Sequence, residues 1–236
     1  MAYTAKRTTQ GFEYIGNLLH QEDAGMDFEL TPNTAFTKGD MVVLTNGKVA
    51  AAAANATNVL GVMAETFTTT TNPSGKTTKG KVLINPFNIY RCSFADHLDS
   101  TATTGGTTTT LIDTALSTST NDVWNGALLY IYEGKAAGSI RTVKDYVGSS
   151  DTLTVEEPFP EAPDTTSKYI LLGLAGEAGD VINVGKSGVN LKDANTIDAN
   201  AAVLSSTVEQ GPLVVLRVDP VNLTMDVIIK KHLFNS

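Results

Sequence analysis

Gly179, Gly185, Lys186 and Ser187 follow the apolar run that ends at Leu172, an order that invites a phosphate-binding loop. Such a loop needs four residues between its glycines and a helix behind them, so that N–H groups and the helix N-terminus face the anion. Here five residues separate Gly179 from Gly185, and no helical period follows Ser187. The segment reads as a surface turn. Gly173, Gly176 and Gly179 likewise miss the dinucleotide-binding spacing. His20, His97 and His232 lie far apart, each without a second ligand at short spacing. A zinc centre or hydrolytic triad would need them to converge, so they read as solvated or capping side chains. Asp193, Asn195, Asp198 and Asn200 offer oxygens without the regular spacing of a calcium loop; ordinary turn chemistry accounts for them. Glu156, Glu157 and Glu161 sit among prolines and read as an exposed acidic loop, because a glycosidase pair is defined by a separation in space. Trp124 is the one tryptophan. It is either core or an exposed platform for stacking a sugar, and core is preferred. The expectation is a non-enzyme with no catalytic residue, no cofactor and no metal.

The bulk composition points the same way. The 236 residues carry 17 Lys and Arg against 25 Asp and Glu, a net charge of −8. Sequence-independent nucleic-acid binding needs a cationic surface that displaces counterions, so no nucleic acid is expected. At 42% hydrophobic the chain can fill a core, yet only 18% of it is charged, below the usual quarter or so. A polar, weakly charged surface suits a protein packed beside others. Cys92 has no partner cysteine and lies in an apolar strand pattern, so it reads as a buried thiol. No apolar h-region opens the chain, and no window approaches the roughly 18 apolar residues of a membrane helix. Synthesis in a cytoplasm and no membrane partner are expected.

The elements are short strands between frequent turns. Residues 1–25 read as an extended N-terminal arm, with Tyr3, Phe12, Tyr14, Ile15, Leu18 and Leu19 scattered without strand or helix period. Lys6 and Arg7 either touch an acidic partner or serve solubility. Residues 26–98 form a first β unit. In it Asn46-Gly47 marks a two-residue hairpin turn, since both positions tolerate positive φ, and the Thr-rich tract from Thr66 to Lys79 reads as an exposed hairpin. The composition from Asp96 to Gly106 is that of a linker. Residues 105–172 read as an inserted small β domain, its best strand Ala127 to Tyr132. Residues 173–236 complete the first unit. Their tail is a hairpin around Asp219 to Asn222 whose return strand alternates with period two. The fold class is all-β.

Two sets of residues carry a family resemblance. Leu111 to Thr114, Trp124-Asn125-Gly126, Gly134, Gly138, Arg141, Val143, Asp145, Tyr146 and Thr152 to Val155 are similar to a small β module of tailed-phage structural proteins. Gly39 to Leu44, Asn46 to Ala50 and Asn58 to Met63 resemble capsid decoration (cement) proteins of tailed phages. That likeness implies a small β-barrel or β-tulip domain with an insert. It implies a homotrimer on the outer surface of the virion head, bound to the major capsid protein and stabilising capsomer junctions. It also implies capsid binding through the arm, by Tyr3, Lys6, Arg7, Phe12, Tyr14 and Ile15. The alternatives are another virion component (head fibre, tail or baseplate protein) or a carbohydrate-binding host-adhesion module. The insert is free, on this reading, to project as a knob.

Overall fold

The computed structural model describes residues 11–21, 23, 25–53, 56, 58–93, 97–116, 118–172, 187–189, 212–230 and 233. Among them run β1 (Glu13–Asn17), β2 (Met26–Glu29), β3 (Met41–Thr45), β4 (Lys48–Ala51), β5 (Gly61–Met63), β6 (Lys79–Leu83), β7 (Asn88–Ser93), β8 (Leu98–Thr101) and β9 (Thr104–Thr107). Then come β10 (Thr110–Ile112), β11 (Leu128–Glu133), β12 (Ile140–Val147), β13 (Thr152–Val155), β14 (Lys168–Leu172), β15 (Ser187–Val189), β16 (Leu213–Asp219) and β17 (Thr224–Ile229). The one helical turn among the described residues is 3-10, Thr114–Leu116. The protein is all-β, as its short apolar runs and turn residues predict.

The strands form three antiparallel sheets, in the orders β1-β7-β17-β16-β15, β2-β6-β5-β3-β4 and β8-β14-β11-β12-β13-β10-β9. The second sheet curls until its edges touch: Leu30, just past β2, bridges Val49 of β4 in parallel, and Thr31 N donates to Val49 O at 2.9 Å. The expected closed barrel does not form among the described residues: one bridge, not a ladder, joins the edges of the curled sheet. Leu30, Phe36, Val42, Leu60 and Val82 fill its interior. The third sheet returns on itself through one bent run. Ala102 N donates to Ser167 O beside β14, and Thr103 N to Ile112 O of β10, so β8 and β9 are two halves of one strand.

Side-chain alternation on β11 and β14 decides how the insert sits. Leu129, Ile131, Tyr169 and Leu171 face the insert's own core. Tyr130, Ile170 and Leu172 point the other way, into a core shared with Phe12, Met41, Tyr90, Cys92, Met225 and Val227. With both faces of these strands buried, the insert is welded to the body and does not project as an independent knob.

Four expectations change. The linker at 96–106 is in part strand, and the insert therefore begins at Leu98, not 105. Gly106 lies in β9, which pairs with β10, and a Cβ there would lie 2.0 Å from Thr110 O, an approach only glycine allows. The Thr66–Lys79 tract is not a free hairpin. Phe67 bridges Phe36, and the buried Asn72 donates from Nδ2 to Thr31 O at 2.7 Å and Thr34 O at 2.8 Å, drawing the tract over the curled sheet. The arm ends earlier than residue 25: the chain joins the body at Phe12, whose N donates to Gly39 O at 2.8 Å, and β1 pairs with β7. Finally, β17 is covered on both faces, with Thr224 and Asp226 buried as well as Met225 and Val227.

Candidate functional site

Five of the eight large apolar side chains exposed among the described residues cluster along the N-terminal edge of the first sheet: Tyr14, Ile15, Leu18, Leu19 and Phe87. β1 is that sheet's edge strand, and among the described residues nothing pairs with its outer side. Edge strands are guarded by charged side chains, proline or bulges; β1, Glu-Tyr-Ile-Gly-Asn, has a single charge, Glu13, at its start and no lysine or proline. Its register slips between Tyr14 and Gly16, so Ile15 occupies a bulge, which re-aims a side chain, and it is 38% exposed.

Beyond β1 the chain makes a tip from two loops. Leu18 and Leu19 lie on one at 45% and 52% exposure, and Phe87 on the other at 45%. Leu18 N donates to Phe87 O at 2.9 Å and joins the loops. Leu19 N donates to Asn17 Oδ1 at 2.8 Å, and Phe87 N to Asn85 Oδ1 at 3.0 Å. Each apolar residue of the tip thus has its own N–H tied down. Under the tip Asn17 Nδ2 donates to Asn88 Oδ1 at 3.0 Å, both residues being buried. Asn88 Nδ2 donates to Tyr90 Oη at 3.0 Å and to the Asp23 carboxylate. Tyr90 donates onward to Leu83 O at 3.3 Å, and burial pushes its hydroxyl pKa up. A rigid polar base carrying outward apolar side chains is the form of a preorganised contact surface.

The expected arm residues divide. Tyr3, Lys6 and Arg7 lie outside the described residues. Phe12 is not available to a partner: it is 1% exposed and part of the central core. Its own backbone N–H is fixed to Gly39 O, which holds the residue at the body. Tyr14 and Ile15 do lie on the exposed edge, and Tyr14 packs edge-on against Tyr90 at 6.3 Å. Leu18 and Leu19 are apolar points of the arm as read from sequence; Phe87 joins them only through the fold. Phe12→Ala is expected to cost about 3–5 kcal/mol, as for large core aromatics, and Ile15→Ala to stay within about 0.5 kcal/mol. Urea melts of the two variants check this division.

Several of the other chemical candidates have structural roles, and the rest lie outside the described residues or on the surface. Trp124 is 4% exposed and lies in the insert's core, so it offers no stacking platform. Glu161 Oε1 accepts from Ala136 N at 3.1 Å and braces the Gly134–Gly138 turn. Arg141 holds the carbonyls of Glu157 and Pro158 and covers the Phe159 ring at 5.9 Å. Asp113, fully buried, accepts from Ser100 Oγ at 2.5 Å, Tyr169 Oη at 2.7 Å and Ala115 N at 2.9 Å, which pins the bent strand to the rest of the insert. His20 lies in the exposed tip loop, while His232, Asp193, Asn195, Asp198, Asn200 and the Gly179–Lys186 stretch fall outside the described residues. Among the described residues no three His, Cys, Asp or Glu gather as a metal site, and no helix is long and apolar enough to cross a membrane. No family model matches the chain, and no curated protein or solved structure matches it.

Proposed function

We propose that this chain is a non-enzymatic virion structural protein, a capsid decoration protein that docks on the outside of a phage head as a homotrimer. The docking element is the edge of β1 with the tip of Leu18, Leu19 and Phe87, and the partner is the major capsid protein. The observation that carries the reading is the clustering of exposed apolar side chains on rigid, tied-down loops, since a solitary exposed leucine needs no explanation but a supported cluster does. The sequence resemblance to decoration proteins favours the outside of the head over another place on the particle. The burial of Trp124 removes the feature on which a carbohydrate-binding reading depended.

Roughly half of each tip side chain is still exposed, so covering one gains on the order of 1 kcal/mol. That is weak for one contact. Three tips on a trimer, engaging a repeating shell together, add up through effective concentration rather than through new contacts. The test is sedimentation of the full chain with heads of the parent virus purified without it. The wild type is expected to pellet with heads at a fixed copy number. Leu18→Ser, Leu19→Ser and Phe87→Ser combined are expected to keep the melting temperature and stay in the supernatant. Heads that never retain the wild type, or retain the triple variant equally, overturn the reading.

A further inference from the structure

We propose that Asp23 is the positioning residue of the tip: its single carboxylate fixes both ends of the Phe87 loop and, through Asn88 and Asn17, the Leu18–Leu19 loop. This deepens the docking reading above and rests on it. The argument starts from what the carboxylate touches. Oδ1 accepts from Gly25 N at 2.8 Å, which turns the chain into β2. Oδ2 accepts from Asn85 N at 3.3 Å and from Asn88 Nδ2. Asn85 and Asn88 bracket the loop that carries Phe87, and Asn85 Oδ1 in turn holds Phe87 N at 3.0 Å. Asn88 Oδ1 receives Asn17 Nδ2 at 3.0 Å, and Asn17 Oδ1 holds Leu19 N at 2.8 Å. From Asp23 a continuous path of hydrogen bonds therefore reaches the backbone of two of the three apolar residues, and Leu18 N on Phe87 O closes the ring.

Nothing here touches the partner. Asp23 acts by leaving the loops one arrangement, so that binding does not also have to order them. A carboxylate is suited to this because it accepts at every lone pair and donates nothing at neutral pH, and bonds to an ionised acceptor are the strong ones. An amide in its place must turn its NH2 either toward Asn88 Nδ2 and Asn85 N or toward Gly25 N, donor against donor in both orientations, with almost no change in size.

The experiment uses the full chain with three variants, read by amide hydrogen exchange at Leu18, Leu19 and Phe87 and by sedimentation with the same heads. Asp23→Asn is expected to speed exchange at the three amides by about ten- to a hundredfold and to weaken head binding about tenfold, with amides of β16 and β17 unchanged. Adding Asn88→Asp exchanges donor and acceptor across the same bond, and the aspartate at 88 still accepts from Asn17. The double variant is expected to recover the protection at Leu19 and part of the binding, because Asn85 N still faces an N–H while the Asn88–Asn17 branch is restored, and a general loss of stability would recover neither. Should Asp23→Asn lower the melting temperature of the whole molecule, Asn85→Ala frees the Phe87 amide alone and is expected to reproduce the binding loss in smaller degree. Unchanged exchange in Asp23→Asn overturns the proposal. So does faster exchange with undiminished binding, or a double variant no better than the single one. If wild-type protein fails to bind heads while the exchange pattern follows expectation, the docking reading falls and the ordering role of Asp23 stands.

Discussion

Raising the pH from 9 to 12 is expected to unfold this protein through four buried hydroxyl and thiol groups. Tyr90, Tyr146 and Tyr169 are fully buried. Burial is the largest cause of each raised pKa; it pushes Tyr146 up to about 12, helped by its bond to Asp151, and moves Tyr90 and Tyr169 upward as well. Cys92, buried among apolar neighbours, is raised well above 9.0 by the same cause. Each group keeps its proton longer folded than unfolded. Stability is therefore full below the unfolded pKa, near 10 for tyrosine and about 8.5 to 9 for cysteine, and falls as pH rises toward the folded value. The slope is about 1.4 kcal/mol per pH unit for each group that holds a proton the unfolded chain has lost. At pH 11 three tyrosines amount to about 4 kcal/mol, to which the thiol adds in the same direction, against the 5–15 kcal/mol typical of a whole domain. Urea melts at half-unit steps of pH should show a shallow decline from about pH 9, steepening past pH 10. Cys92→Ala should remove the shallow part. In an ultraviolet titration, three of the seven tyrosines should ionise only with unfolding. Stability that stays level to pH 12 would contradict the burial of these groups.

What the sequence disclosed follows from how local each signal is. The turn at Asn46-Gly47 was legible because both residues adopt positive φ, 51° and 76°, and few residue pairs do. The strands β11, β12, β13 and β14 announce themselves by runs of β-branched and aromatic residues. β1 gave no such signal, since its pattern is exposed until its last two residues and edge strands need not alternate. The stretch 98–107 hid for the opposite reason. Its threonines and glycines have the composition of a linker, and the need for glycine at 106 is a close approach to Thr110, invisible until the sheet is folded. The tip is partly legible. Leu18 and Leu19 stand out as apolar in a polar leader. Their support does not, because the bond between Asp23 and Asn88 spans 65 residues and neither side chain is unusual in type. Phe12 misled because an aromatic near a chain's beginning looks the same whether it clings to a partner or to its own core.

The outer face of the first sheet carries a row of alternating charge, and breaking it is expected to be the most damaging single substitution outside the core. Glu13, Arg91, Asp226 and Arg217 stand directly opposite one another on β1, β7, β17 and β16. Arg91 grips Asp226 with two bonds, Nε to Oδ1 at 2.7 Å and Nη2 to Oδ2 at 2.9 Å. That pairing, the first cause, raises the arginine pKa, and Glu13 and Asp219 add to it. The two side chains are only 20% and 10% exposed, so screening by salt is weak and desolvation is already incurred. Asp226→Ala leaves a largely buried guanidinium facing a small apolar residue, between β1 and β17, which pair with β7 on either side. The cost of removing one partner from such a pair is about 3–5 kcal/mol, measurable as a lower urea midpoint. Replacing both partners together, as in Arg91→Met with Asp226→Leu, is expected to be far milder, because no charge remains stranded. Glu13 gives the row its link to the exposed edge strand β1. In Asp226→Ala the guanidinium retains two acidic neighbours, Glu13 on β1 and Asp219 at the end of β16, and adding Glu13→Gln should deepen the loss by more than Glu13→Gln costs alone. Strict additivity of the two would mean that Arg91 does not turn toward β1, and that the edge strand is held by its backbone ladder alone.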